Sequence, residues 1–306
     1  MKYLPRLRPV QLALPAFLAA SVAVAGLMAA PQTASTLERD MFVSVLDKAG
    51  QPVLTLGPGD FVVREDGRVR EVLRARRATD PIELALLVDT SQAAANQITD
   101  LRQALRTFID KMRPMAHIAL IGVGERPTIL TDYTSDADLL DKGLGRVFHT
   151  PGSGATVIEG VEETLKGLAK RPAERAAIVV VWLGGIEFSN SYHDPALKSL
   201  KQDGVALDVI TVGSGVPADI STTPGRQREL LFDRGTSETG GRRDNVLSSM
   251  GLTSAMDHLA DELLGQYRIT YARPDSLIPP ERIEVSVRPP GLTARGIPVR
   301  VPAGTK

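Results

Sequence analysis

Uninterrupted apolar runs alternate along this chain with segments whose apolar residues recur every three or four positions. The runs at 84–88 and 176–183 show no polar alternation, which is typical of strands covered on both faces. The segment 93–112 has apolar residues at helical spacing. Strands that alternate with helices of ten or more residues indicate parallel βαβ units. The pattern therefore predicts an α/β fold, doubly wound, with a mostly parallel sheet and helices on both faces.

This α/β domain is predicted to occupy residues 80–265, with no internal repeat. Its predicted strands lie at 84–88, 117–123, 126–131, 176–183 and 204–213, the third being a short antiparallel edge. Its predicted helices lie at 93–112, 136–147, 157–170, 195–202, 226–238 and 252–264.

Two β segments, 31–79 and 266–306, flank the domain. A strand at 41–46 precedes a hairpin within 61–73, whose turn is Asp66-Gly67, a dipeptide that accepts positive φ. Further strands are predicted at 267–271 and 282–287. Few isolated strands are stable alone, so we expect the two segments to form one small sheet.

Six arginines cluster in the N-terminal β segment. They favour solvated strand faces and a charged edge that resists aggregation. The alternative is contact with an anionic surface. They are Arg64, Arg68, Arg70, Arg74, Arg76 and Arg77.

Residues 1–30 have the pattern of a secretory signal peptide. Lys2, Arg6 and Arg8 form a basic leader, residues 10–24 are apolar, and the segment ends in alanines. The alternative is an uncleaved anchor, because the apolar stretch 10–30 is nearly long enough to span a bilayer. Either interpretation predicts an exported protein, periplasmic or extracellular. No other stretch is apolar enough to cross a membrane.

Charge and cysteine content narrow the classes of function. Lysine plus arginine and aspartate plus glutamate both number 36 in 306 residues, so nothing indicates nucleic-acid binding. The chain has no cysteine. Disulfides, thiol catalysis and cysteine-based zinc sites are therefore excluded.

The apolar run 84–88 stops at Asp89-Thr90-Ser91. A carboxylate and a hydroxyl at the end of a buried strand lie at the edge where doubly wound folds bind ligands. An apolar strand followed by Asp-x-Ser-x-Ser resembles the first motif of von Willebrand factor type A domains, in particular secreted bacterial proteins related to them. The segments 204–213, 238–242 and 259–271 look like the closing pieces of such a domain.

The resemblance implies a metal-ion-dependent adhesion site, which this chain matches only in part. Asp89 and Ser91 match the first loop and Thr156 the second, but Ala93 replaces a serine. Gly184-Gly185 stands where the family has Asp-Gly, so a carboxylate is missing. Glu187, three residues beyond, is the candidate substitute. We therefore predict a degenerate site that requires no cofactor, with Mg²⁺ or another divalent cation as the alternative.

Signatures of the common nucleotide enzymes and hydrolases are absent. The sequence has no P-loop and no Gly-x-Ser-x-Gly nucleophile elbow, and 89–96 contains no glycine that could begin a dinucleotide-binding helix. His-x-x-x-His metal spacing is also absent. A hydrolase using Ser91 with a distant histidine is the weakest alternative.

These observations favour an exported, non-catalytic protein-interaction module of the adhesion type. Loops at the carboxyl ends of strands carry binding in such folds, so we expect a protein partner to contact them. The predicted partner-binding residues are Asp89, Ser91, Ser153, Thr156, Glu187 and Asn190. The competing interpretation is a structural component of a cell-envelope complex that acts through its β segments.

Overall fold

The computed structural model describes residues 36–274, 278 and 280–299, so the predicted signal peptide lies outside the described residues. The strands are β1 Thr36–Leu46, β2 Phe61–Glu65, β3 Arg68–Arg70, β4 Val72–Arg77, β5 Ile82–Val88, β6 Ala116–Val123, β7 Pro127–Thr134, β8 Ala176–Trp182, β9 Val205–Val212, β10 Arg243–Val246, β11 Tyr267–Pro274, β12 Ile283–Val287 and β13 Thr293–Pro298. The helices are α1 Ile98–Met112, α2 Ala137–Leu144, α3 Val157–Leu168, α4 His193–Asp203, α5 Thr223–Glu238 and α6 Leu252–Leu264.

The central sheet has six strands in the order β10-β9-β8-β5-β6-β7. Neighbours are parallel from β10 to β6, and β7 joins β6 as an antiparallel edge. The chain first winds outward from β5 through β6 and then returns to β8 on its other side. The doubly wound prediction and the antiparallel edge are confirmed.

Residues of β5 alternate between two separate hydrophobic clusters, which explains its unbroken apolar sequence. Leu84, Leu86 and Val88 belong to the cluster that includes α1 and α6. Ala85 and Leu87 belong to the cluster that includes α3, α4 and α5. A strand with helices on both sides has no solvent face and therefore no place for polar alternation.

The terminal β segments combine as expected, but they form two sheets and not one. The first has the order β13-β1-β11-β4 and the second the order β12-β2-β3. They share a core that includes Met41, Val43, Phe61, Val63 and Tyr267. Two sheets that face each other bury their apolar sides, whereas one extended sheet would leave a side open to water.

The predicted hairpin turn is present between β2 and β3. Asp66 and Gly67 have φ values of 48° and 78°, as a tight two-residue turn requires. Three arginines of the cluster form ion pairs: Arg70 with Glu65, Arg74 with Glu38 and Arg76 with Asp80. Arg74 and Arg76 are half exposed or more and suit the interpretation of solvated strand faces, which stays a prediction, whereas Arg70 is largely buried with Glu65.

Buried polar contacts join the small sheets to the amino ends of the central strands. Arg175, which precedes β8, donates to Gln266 Oε1 at 2.8 Å and to the Asp80 carbonyl at 3.1 Å. Its guanidinium also lies 5.2 Å from the ring centroid of Phe42 in β1. Burial lowers the pKa of Arg175 to about 10. The small sheets therefore occupy the end of the domain opposite the carboxyl ends of the strands.

Strands β10 and β13 were not predicted. Both are edge strands of polar or mixed sequence, and β13 contains glycine and proline. Their pairing with β9 and β1 depends on neighbours distant in sequence. Among the described residues, no helix has the length and apolarity needed to cross a bilayer.

Candidate functional site

The carboxylate of Asp89 is fully buried and accepts three hydrogen bonds from backbone amides. Oδ1 accepts from Ser91 N at 2.9 Å, within its own loop. Oδ2 accepts from Leu183 N and Gly185 N, each at 3.0 Å. Since β5 and β8 are adjacent, their carboxyl ends bring these two loops together. One side chain therefore ties the first loop to the third.

The side chain of Ser91 packs against Gly185. Its hydroxyl caps the short turn 92–94 by accepting from Ala93 N at 3.3 Å. A Cβ on Gly185 would lie 2.5 Å from Ser91 Oγ and 2.9 Å from Asp89 Oδ2 and from Ala155 Cβ. Only glycine allows the third loop to approach so closely. The preceding Gly184 has φ +99° and open space where a side chain would be.

The loop before α3 completes this edge. The Ser153 carbonyl accepts from Gln92 N at 3.1 Å. Ala155 N donates to the Ile186 carbonyl at 2.7 Å, and the Ala155 carbonyl accepts from Phe188 N at 2.8 Å. Thr156 is buried, and its hydroxyl donates to the Gly124 carbonyl at 3.0 Å, at the end of β6. The three predicted loops therefore converge, while the Thr156 hydroxyl is engaged by a neighbouring strand.

Glu187, the candidate substitute ligand, binds the N-terminus of α3. Its Oε1 accepts from Val157 N at 3.0 Å and from the Ser189 hydroxyl. Its Oε2 is buried and has no hydrogen-bond partner among the described residues. Burial raises the pKa of Glu187 to about 7, although these hydrogen bonds act in the opposite direction. The side chain thus links the second and third loops.

A buried ion pair between Arg228 and Asp219, which was not predicted from the sequence, supports the third loop from inside the domain. Arg228 is fully buried and donates to Asp219 Oδ2 at 2.7 Å and Oδ1 at 2.9 Å. Asp219 Oδ2 also accepts from Glu187 N at 2.8 Å. Burial alone would raise the pKa of Asp219, but the bonds from Arg228 and the Glu187 amide hold that pKa below its usual value.

Arg228 also packs against Trp182 at the end of strand β8. Its guanidinium lies 4.2 Å from the ring centroid of Trp182, whose indole N–H donates to the Gly185 carbonyl at 3.0 Å. No sequence signal marked this pair, because Asp219 lies in a Gly/Pro/Ser-rich loop and Arg228 in a charged helix. Gly185 is consequently held through both its amide and its carbonyl.

The last predicted residue, Asn190, and one of the histidines, His193, lie near the end of the third loop. Asn190 is exposed, and its backbone N–H donates to Glu159 Oε1 at 2.9 Å. His193 Nδ1 lies 2.7 Å from Gln227 Oε1. Within the part of the chain that the structure describes, no group of three or more His, Cys, Asp or Glu is arranged to hold a metal ion.

Comparison with known proteins identifies the fold. No protein-family model matches the sequence, and comparison with curated protein sequences finds no relative. A von Willebrand factor type A structure from Catenulispora acidiphila superimposes with a TM-score of 0.50, at 11% identity, over 87% of this chain and 74% of that chain. The fold implied by the first-loop motif is therefore confirmed.

Two other structures with this fold are similar at lower TM-scores. Proximal thread matrix protein 1 from the mussel byssus gives 0.49 at 15% identity, over 69% of this chain. The alignment spans 50% of the length of that protein. The von Willebrand factor domain of the type V pili tip protein Mfa5 from Porphyromonas gingivalis gives 0.48 at 12% identity, over 61% of this chain and 96% of that one.

We expect Gly185→Ala to destabilise the protein by about 1–3 kcal/mol, because the added methyl overlaps Ser91 Oγ and Asp89 Oδ2. Urea unfolding measures the change. Gly167→Ala in α3 is the matched control: its methyl meets nothing within 4 Å, so helix propensity should leave stability equal or up to about 1 kcal/mol higher. Equal stabilities of Gly185→Ala and the parent would contradict the close approach of the loops.

The raised pKa of Glu187 predicts that stability falls with increasing pH. The folded pKa of about 7 exceeds the ordinary 4.5, so the native state holds this proton more tightly than the unfolded state does. The contribution is full below pH 4.5 and is lost as pH rises to about 7. Glu187→Gln should flatten this decline in urea unfolding across that range.

The decline should not vanish entirely in that variant, because burial also raises the pKa of Asp208 to about 7. Glu125→Gln, at an exposed position, is the control and should keep the parental slope. A slope that is unchanged in Glu187→Gln would rule out Glu187 as its source.

Proposed function

We propose that this chain, which has a von Willebrand factor type A fold, is an exported, non-catalytic module that binds a protein partner without a metal ion. The binding surface is the set of loops at the carboxyl edge of the central sheet, here called the rim: residues 89–97, 147–156, 183–193, 213–222 and 247–251. The observation that carries this proposal is the engagement of Asp89 by three backbone amides from two of these loops.

The residues at this edge do not fit the cation that the fold family implies. Mg²⁺ requires oxygen ligands in near-octahedral geometry. The Gly185 amide instead directs a hydrogen-bond donor at Asp89 Oδ2, and the Thr156 hydroxyl is committed to the Gly124 carbonyl. Ala93 and Gly184 supply no side-chain oxygen. Asp89 is the one carboxylate at the matched positions, and its oxygens already accept hydrogen bonds from three backbone amides.

Direct bonds between the loops support binding in the absence of metal. Gln92, Ser153, Ala155 and Phe188 connect the first, second and third loops through backbone hydrogen bonds. Loops held in one arrangement before binding lose little conformational entropy when a partner docks. The surface is therefore preorganised by the protein itself.

The surroundings of Ser91 support a non-catalytic role. A serine nucleophile needs a base within hydrogen-bond distance. Among the described contacts, the Ser91 hydroxyl accepts from Ala93 N, and no histidine bonds it. His193, in the neighbouring loop, is paired with Gln227. Ser91 instead serves as a turn cap.

Metal independence predicts that titration calorimetry with Mg²⁺, Mn²⁺ or Ca²⁺ shows no binding in the micromolar range. Asp89→Asn should lower the free energy of unfolding by about 2–4 kcal/mol, because in either orientation its amide nitrogen would face at least one of the three backbone donors. This loss should be the same with Mg²⁺ or with a chelator. A micromolar Kd that disappears in Asp89→Ala would overturn the metal-free proposal.

Binding through the rim predicts that a bulky charge placed there prevents partner capture. The full chain, immobilised, is exposed to native envelope extract with and without chelator, and the captured protein is identified and titrated. Asn190→Lys should weaken its binding by about tenfold or more, while chelation has no effect.

Val69→Lys, exposed on β3 in the small sheets, is the matched control and should bind as the parent does. If Val69→Lys abolishes capture and Asn190→Lys preserves it, the β segments are the interface. The chain would then act as a structural component of a larger complex.

A further inference from the structure

The rim displays no charged side chain to solvent. Its five loops contain three carboxylates and no lysine or arginine, although 24% of all residues in the chain are charged. The three carboxylates, Asp89, Glu187 and Asp219, are all buried. Asp89 and Asp219 accept from backbone amides of the rim loops, and Glu187 accepts from the amide of Val157 at the start of α3. Asp219 also pairs with Arg228. The charged groups thus organise the rim from within and are withheld from its surface.

Large apolar side chains take the exposed positions of the same loops. Thirteen such side chains are exposed among the described residues, and seven of them belong to the rim. Their exposed fractions run from 50% to 81%. The seven are Phe148, Ile186, Phe188, Tyr192, Val216, Leu247 and Met250.

The extent of this surface suits a protein and not a small molecule. Four of the loops follow strands β10, β9, β8 and β5 in order, and the fifth, 147–156, follows α2. Adjacent strands are about 4.8 Å apart, so the apolar positions span roughly 15–20 Å. With on the order of 100 Å² exposed on each of seven side chains, the apolar area is roughly 700 Å². One partner in a standard protein interface contributes about 800 Å².

The composition also resembles the buried centre of a protein interface. Such centres are depleted of charged residues and enriched in aromatic residues and methionine. Without lysine or arginine, the rim has no attraction for nucleic acid or for anionic lipid. Basic side chains lie at the border of the rim, where Arg102 is 4.3 Å from the ring centroid of Phe148 and the exposed Arg146 precedes the second loop. The rim loops themselves offer a partner carboxylate no lysine or arginine, so its burial against them would be unfavourable. Exposed charges resume at Arg146 and Asp194, directly beside the rim loops, and at Glu125 and Arg126 on the turn after β6.

We infer that the rim binds an uncharged, apolar surface of a partner protein, through aromatic and aliphatic side chains and without ion pairing. This inference rests on the proposed function and specifies the partner's chemistry. The fold family's metal sites would accept a partner carboxylate, and this rim has replaced that chemistry with burial of apolar area. Binding should therefore be insensitive to ionic strength.

The experiment is selection of a phage-displayed random peptide library on the immobilised full chain. Enriched peptides should be rich in aromatic and aliphatic residues, carry no net charge, and bind equally well at low and high salt. Ile186→Asp and Met250→Asp should each weaken their binding by about tenfold or more, because a charge then enters the apolar contact. Both positions are half-exposed or more, and circular dichroism checks that the variants are folded.

Two exposed apolar positions outside the rim provide matched controls: Leu139→Asp on α2 and Val69→Asp on β3 should leave binding unchanged. Acidic or basic peptides that are lost in Met250→Asp would overturn the inferred chemistry and leave the rim as the binding surface. Peptides that ignore the rim variants and are lost in Val69→Asp would overturn the proposed function as well. A selection that yields no rim-dependent peptide would also overturn the inference.

Discussion

The arrangement of the rim depends on the hydrogen bonds between Asp89 and the amides of Ser91, Leu183 and Gly185. A buried carboxylate is strongly unfavourable unless donors surround it, and here three backbone amides do so. The contact requires the first loop to lie against the third at backbone distance. Gly185 permits that distance, since any side chain would displace Ser91 or Asp89.

The charged side chains inside the rim, Glu187, Asp219 and Arg228, hold the loops together. Glu187 satisfies the N-terminus of α3 by accepting a hydrogen bond from the amide of Val157. Asp219 and Arg228 neutralise each other beneath the loop and hold Glu187 and Gly185 through their backbone groups. In the metal-free rim that we propose, these several bonds provide the cross-linking that one cation would otherwise provide.

The strands that could be predicted are those whose environment is uniform. Because β5, β8 and β9 are covered on both faces, burial alone determines their residues, and the apolar runs revealed them. The polar edge strand β10 and the glycine-containing β13 depend on partners far away in sequence. In the site, the position of Asp89 followed from the strand end. The hydrogen-bond donors to Asp89 could not be predicted. The direction of the Gly185 amide depends on the backbone dihedral angles of the loop, which the identity of the side chains does not reveal.

The position of the small sheets explains how an apolar edge remains available. Arg175 and Gln266 connect them to the amino ends of the central strands, and Gly240 packs against Gly296 of β13 at the same end. The carboxyl edge is therefore left uncovered by the rest of the described chain. A surface of this composition normally becomes buried, because exposed apolar patches of several hundred Å² favour association. Since the described residues do not cover it, a second molecule is the means of burial that we propose.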